Sequence, residues 1–241
     1  VRPIAAPSPN FDARRSAPDM IILHYTGMTD GAAALARLTD PAARVSAHYL
    51  VEEDGRVFAL APEDRRAWHA GRSYWRGETD INARSIGVEI VNPGHEFGYR
   101  PFPAVQIAAV VDLLSDIRER WPVPDDLILG HSDVAPGRKS DPGELFPWQA
   151  LAAAGHGLWV DPPAEDGPPV GEGDDGPPVA SLRARLARIG YDCAAPGPFD
   201  PGLAAVVRAF QRHWRPRRVD GLADGETRAR ALALALAAKR D

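Results

Sequence analysis

Gly130-His131-Ser132-Asp133-Val134-Ala135-Pro136-Gly137-Arg138-Lys139-Ser140-Asp141-Pro142-Gly143 places an imidazole, two carboxylates and a lysine in one turn-rich loop directly after the apolar run 127–129. Such a loop offers metal ligands but needs a distant one to complete a site. His24 is the candidate: it ends the apolar run Met20-Ile21-Ile22-Leu23 and is followed at once by Tyr25-Thr26-Gly27. Two imidazoles and one carboxylate, His24 and His131 with Asp141, suit zinc with an open fourth position, the arrangement of a catalytic rather than a structural site. Asp133 competes with Asp141 for the carboxylate role. A hydrolase is the expected class.

Metal-assisted amide hydrolysis needs a base for the water's proton and a donor facing the developing oxyanion. Glu89 is the best base, because it interrupts the apolar run Ile86-Gly87-Val88-Glu89-Ile90-Val91, where a carboxylate is costly unless it faces a polar cleft or finds a partner. Lys139, bracketed by Pro136-Gly137 and Pro142-Gly143, is the best oxyanion partner. Each has a plainer reading. His24 alone reads as a hydrogen-bonded structural histidine, Glu89 as an ion-pair partner of Arg84 or Arg100, and Lys139 as a solvated charge.

Outward from these residues, apolar runs alternate with helical patterns. Runs 20–24, 47–51, 57–60, 86–91 and 127–129 read as strands, the second and third joined by a Glu53-Asp54-Gly55 hairpin turn. Helices are expected at 31–38 and 103–120, the longer burying Val105, Ala108, Ala109, Leu113 and Ile117. The fold class is α/β, a mixed central sheet flanked by helices, with His24 and His131 leaving the carboxyl ends of strands, where open α/β sheets bind ligands. A second, small three-helix domain follows. Its apolar stripes are Leu182, Leu186 and Ile189, then Leu203, Val206, Val207 and Phe210, then Leu232 and Leu236.

The expected domains are 1–160, a linker over 161–179, and 180–241. The linker, DPPAEDGPPVGEGDDGPPV, carries six acidic and no basic side chains and is too rich in Pro and Gly to build a core. The helical region carries twelve basic and six acidic groups. At 44% hydrophobic and 25% charged residues, the chain as a whole has a globular composition that argues against disorder. No window reaches the ~18 consecutive apolar residues of a membrane span. The start lacks the apolar region of a secretory signal. Val1 lies seven residues before Ser8, which favours the cytoplasm, while a leader removed before Val1 puts the protein in the periplasm or cell envelope. Cys193, the single cysteine, reads as an incidental loop thiol.

Six ordered segments carry a family resemblance: Ser8-Pro9-Asn10-Phe11, Ile22-Leu23-His24-Tyr25-Thr26-Gly27-Met28, Val45-Ser46-Ala47-His48-Tyr49-Leu50-Val51, Ala67-Trp68-His69-Ala70-Gly71, Ile86-Gly87-Val88-Glu89-Ile90, and the loop from His131 to Gly143. Over most of residues 8–152 the chain resembles the zinc-dependent N-acetylmuramoyl-L-alanine amidases of the AmpD type, related in fold to peptidoglycan recognition proteins. The resemblance implies that His24, His131 and Asp141 bind Zn2+, that Glu89 is the acid/base carboxylate, and that Lys139 steadies the tetrahedral intermediate. It implies cleavage of the amide between the lactyl group of N-acetylmuramic acid, or its anhydro form, and L-alanine of the stem peptide. Trp68, Tyr74 and Trp75 are candidates for sugar contacts, Arg72 and Arg84 for stem-peptide carboxylates, and His69 for either substrate or a supporting hydrogen bond. Core packing for Trp68 and solvated loop positions for the arginines are the plain alternatives. His48 reads as structural. Some relatives carry a tyrosine where this chain has Ala47, which shifts weight to Glu89. His95, His156 and His213 match no family role and read as surface or packing residues.

The last 60 or so residues resemble three-helix peptidoglycan-binding domains, through Leu182 to Tyr191, Gly197-Pro198-Phe199-Asp200, Ala205 to Gln211, and Val219-Asp220-Gly221 with Gly225-Glu226-Thr227. Their positive charge suits an anionic wall polymer. No base-reading motif accompanies it, so nucleic acid is not the expected partner, and no obligate protein partner is evident. Trp214 reads either as packing or as a stacking platform. The rival for the whole chain is a non-catalytic peptidoglycan recognition protein, from which the complete ligand set with Glu89 and Lys139 distinguishes it.

Overall fold

The structure, a computed structural model, describes residues 2–238, so Val1 and the last three residues lie outside it. Eight short strands form, in chain order, β1 (Ile4–Ala5), β2 (Phe11–Ala13), β3 (Met20–Tyr25), β4 (Tyr49–Val51), β5 (Val57–Ala59), β6 (Arg65–Ala67), β7 (Ser85–Ile90) and β8 (Ile128–Gly130). Six make a mixed sheet in the order β1-β5-β4-β7-β3-β8, while β2 and β6 pair separately. The Glu53-Asp54-Gly55 turn joins β4 and β5 as an antiparallel hairpin; β4, β7, β3 and β8 run parallel. β3 and β7 are buried along almost their whole length, as parallel strands covered on both faces require.

The sheet is flanked by α1 (Gly31–Thr39), α2 (Ile81–Arg84), α3 (Gly94–Phe97), α4 (Ala104–Arg120), α5 (His131–Val134) and α6 (Trp148–Ala153). α1 starts at the Asp30 side chain, which accepts from the Ala33 N–H at 2.8 Å. α4 buries Leu113 and Ile117 of the expected face but turns Val105 and Ala108 outward. Gln106, Val110, Leu113, Leu114 and Ile117 point inward, whereas Val105 is 54% exposed and Ala108 is on the outside. The reason is polar: the Gln106 amide donates to the carbonyls of Val51 and Val91, just where β4 and β7 end.

The helical region consists of α7 (Pro177–Ile189), α8 (Pro201–Trp214) and α9 (Gly225–Ala237). The stripes expected on α7 and α8 are buried. The third is not: Leu232 and Leu236 are 39% and 72% exposed, and α9 packs through Thr227, Arg228, Ala231, Leu234 and Ala235 instead. Small residues facing α7 permit close approach. One continuous apolar cluster runs from Ile21 and Leu129 of the sheet through Trp75 to Val179 and Phe210 of the helices, beside a smaller one around Leu38, Leu50 and Phe58. About 60 residues sit near the lower limit for independent folding, and a shared core relieves that limit.

The acidic segment 161–179 is pinned at more points than its composition suggests. Val170 is buried and forms an antiparallel bridge with Ala223, and the Gly173 N–H donates to the Phe199 carbonyl at 3.0 Å. Its charges meet those of the helices: Glu165 pairs with Arg185 at 2.6 Å and Arg228 at 3.4 Å, and Asp161 pairs with Arg230. Much of the helical region's positive charge is therefore spent within the chain. Cys193 is buried, and desolvation pushes its thiol up to about 12, as suits a packed rather than a reactive cysteine.

Candidate active site

Strand register assembles the site. His24 lies opposite Glu89 in the β3–β7 ladder, and Leu23 lies opposite Gly130 in the β3–β8 ladder. Three parallel strands thus bring Glu89, His24 and His131 to one row at their carboxyl ends. Gly130 must be glycine for this, since a Cβ there would stand 2.8 Å from the Pro142 ring. The loop then folds back on α5, with the Ser132 N–H donating to the Asp141 carbonyl at 2.9 Å.

His24 Nδ1, His131 Nδ1 and Asp141 Oδ2 form a nearly equilateral triangle, with edges of 2.9, 3.0 and 3.0 Å. All three side chains are buried, and among the described residues they are the one such group placed to hold a metal. Burial, then the neighbouring His131, pushes His24 down to about 4, so it is neutral and able to coordinate near pH 7. Burial alone would raise Asp141, but His131 and His24 overcome it and hold the carboxyl below the usual carboxylate range. Two imidazole nitrogens and an ionised carboxylate oxygen, close enough together to share a centre ~2.0–2.1 Å from each, are a donor set that fits zinc. Asp133 is not part of this group. It is fully buried and accepts from the Gly130 N–H at 2.8 Å and Tyr191 hydroxyl at 2.8 Å, with His213 Nδ1 2.7 Å away.

The triangle floors a cleft of about 440 Å³ that Glu89, Lys139, His69, His95, Arg37 and Arg138 also line. Glu89 pairs with neither alternative partner, as Arg84 pairs with Asp19 and Arg100 with Glu53. Its Oε2 is buried and has no hydrogen-bond partner among the described residues. Burial, with Asp141 adding and Lys139 opposing, pushes its carboxyl well above the usual range. A cleft-lining carboxyl with a raised affinity for protons is suited to shuttling one.

Of the substrate-binding candidates, His69 alone reaches the cleft. Trp75 is 1% exposed and packs edge-on against Tyr191 at 4.9 Å, joining the sheet domain to the helices. Trp68 points its indole N–H to Asp12, Tyr74 is tied through its backbone N–H to Val134, and Arg84 stands at the opposite end of β7 from Glu89. The exposed Arg72 contributes its carbonyl, which accepts from Arg138 at 2.8 Å. His48 is structural, its Nδ1 accepting from the Gly87 N–H at 2.9 Å. Three cleft residues escaped sequence reading. Arg37 is a lone cation with no motif around it, Arg138 stands beside Lys139 in the decisive loop but was given no role, and His95 reaches the rim through Tyr25, whose hydroxyl is 3.0 Å from its Nδ1. His156 lies between Ser115 and Arg118, and His213 is stacked between Trp148 and Trp214, which makes Trp214 a packing residue.

Residues 14–144 match the family described as N-acetylmuramoyl-L-alanine amidase, and residues 175–230 match a peptidoglycan binding domain family. Among curated relatives, N-acetylmuramoyl-L-alanine amidase AmiD of Escherichia coli is 41% identical over 89% of this chain and 81% of its own length. The 1,6-anhydro-N-acetylmuramyl-L-alanine amidase AmpD of the same species is 34% identical over 59% of this chain and 86% of its own. The solved complex of E. coli AmiD with the substrate anhydro-N-acetylmuramic acid-L-Ala-D-gamma-Glu-L-Lys superimposes with a TM-score of 0.79 at 38% identity, covering 95% of this chain and 94% of that one. Sheet, the triangle of His24, His131 and Asp141, and sequence agree, and the chain belongs to the N-acetylmuramoyl-L-alanine amidases.

Proposed function

We propose that this amidase uses zinc held by His24, His131 and Asp141 to hydrolyse the bond between N-acetylmuramic acid, in its anhydro form or within peptidoglycan, and L-alanine of the stem peptide. The observation that carries the reading is the converging triangle of two imidazole nitrogens and a carboxylate oxygen at the floor of a cleft also lined by Glu89 and Lys139. Zinc there supplies Lewis acidity, activating water near neutral pH and polarising the scissile carbonyl. Glu89 takes the proton from the attacking water and returns it to the departing alanine nitrogen. Lys139 presents its ammonium to the developing oxyanion. Because Arg37 and Arg138 line the cleft, in this reading they meet stem-peptide carboxylates, in preference to Arg72 and Arg84. A recognition protein that only binds would have no need of this complete set.

The likeness to a relative solved with an anhydro-muropeptide supports that substrate, and the match at 175–230 supports a hold on polymer. No helix among the described residues is long and apolar enough to cross a membrane. Incubation of the zinc-loaded protein with anhydro-muropeptide and, separately, with purified sacculi tests the function. Free stem peptide with a new L-alanine amino terminus is the expected product, and its absence from both substrates contradicts the reading. The ratio of the two rates reports whether recycled fragments, as in the cytoplasm, or wall polymer, as in the envelope, is the working substrate.

A further inference from the structure

Behind the ligand triangle lies a line of hydrogen bonds that the proposed mechanism leaves unused. His24 Nε2 is 3.0 Å from His69 Nδ1, and His69 Nε2 is 3.3 Å from Ser85 Oγ. The Ser85 hydroxyl donates at 2.7 Å to the carbonyl of Ile81, in α2. A hydroxyl has one proton to give. With it committed to Ile81, Ser85 Oγ can only accept from His69, so His69 Nε2 carries the hydrogen. A neutral His69 then has a bare Nδ1, which accepts from His24 Nε2–H. The remaining His24 nitrogen, Nδ1, is left with its lone pair directed at the triangle.

The chain builds this line at some expense. The Asn82 side-chain carbonyl accepts from the backbone N–H groups of His69 and Ala70 at 3.1 and 2.8 Å, fixing where the imidazole leaves the backbone. The ring then lies across β7 at Gly87, where an added Cβ would stand 2.5 Å from it. Nothing larger than glycine fits there without displacing His69. A ligand histidine commonly hands its second N–H to a carboxylate or carbonyl, which fixes its tautomer. Here a neutral imidazole takes that part, so Asp141 remains the one anionic group among the proposed ligands and their immediate support.

We propose that His69, Ser85 and the Ile81 carbonyl form a tautomer relay that fixes His24 as the Nε2–H form and so presents Nδ1 to zinc. His69 is in this account a positioning residue, not a substrate contact. The inference rests on the zinc reading above.

Nitrogen-15 NMR of the zinc-loaded protein, with histidine side chains labelled, reads the relay without recourse to activity. His69 is expected as the Nε2–H tautomer and His24 as carrying its hydrogen on Nε2; a His69 bearing hydrogen on Nδ1 overturns the relay. Competition with a zinc-binding chromophore supplies the second readout. His69→Phe is expected to weaken zinc roughly 10- to 100-fold, Ser85→Ala by a smaller factor, and His69→Gln, which can accept from His24 and donate to Ser85, to recover much of the loss. Affinities equal to the parent's in His69→Phe and Ser85→Ala, with unchanged unfolding temperatures, refute the relay and leave the zinc site standing. A parent protein that binds no zinc refutes the site itself.

Discussion

Glu89→Gln will retain a full equivalent of zinc and turn over anhydro-muropeptide roughly 100- to 10,000-fold more slowly, the range that general acid–base groups contribute. The substitution is close to isosteric and removes only the capacity to ionise. Steady-state kinetics beside metal analysis separates the outcomes: loss of zinc makes Glu89 a ligand or support, and undiminished turnover removes it from the mechanism. The pH profile carries a sign as well. Burial and Asp141 raise the carboxyl while Lys139 opposes them. A base must be ionised to act, so kcat/KM of the parent rises with pH through that raised value and is lost below it. The residual activity of Glu89→Gln lacks this acid limb.

Asp133→Ala will unfold at a temperature about 10 °C lower, at ~2–4 °C per kcal/mol for a chain of this size, because it strips three buried polar groups of their common partner at roughly 1–3 kcal/mol each. Asp133 is fully buried and gathers the Gly130 N–H, the Tyr191 hydroxyl and His213 Nδ1. The last two belong to the helical region, so this carboxylate ties it to α5, the short helix that opens with His131. Calorimetry of Asp133→Ala against the parent decides the point. A fall of less than about 2 °C would show that the three contacts add little beyond the surrounding packing.

The row of candidate site residues was legible because His24, Glu89 and His131 each stand in or just after an apolar run, where a polar residue needs a reason. Parallel register then converts three separate runs into one row. The choice between Asp133 and Asp141 was not legible from spacing. It depends on the loop folding back so that the Asp141 carbonyl meets the Ser132 N–H, and on Tyr191 and His213, distant in sequence, claiming Asp133. Residue type likewise could not separate a cleft aromatic from an interface aromatic, and Trp75 went to the interface because Gly190 and Tyr191 pack on it.

The three helices were visible in their periodicity, yet the buried face of α9 was not. Its leucines at 232 and 236 suggest a stripe, but α9 packs through the face that carries Leu234 among small and polar residues. The acidic segment shows the same limit. Pro, Gly and six carboxylates describe a poor core, and local composition cannot reveal that Arg185, Arg228 and Arg230 wait across the chain to neutralise it.

The proposed site holds one metal ion between His24, His131 and Asp141. Zinc content measured by plasma mass spectrometry on the parent and on Asp141→Ala, each dialysed against zinc and then against metal-free buffer, tests it most directly. The account predicts about one zinc per parent chain and less than about a tenth of that in the variant, because two imidazoles alone leave a catalytic-type site one ligand short. A parent without zinc, or a variant that keeps its full equivalent, would contradict it.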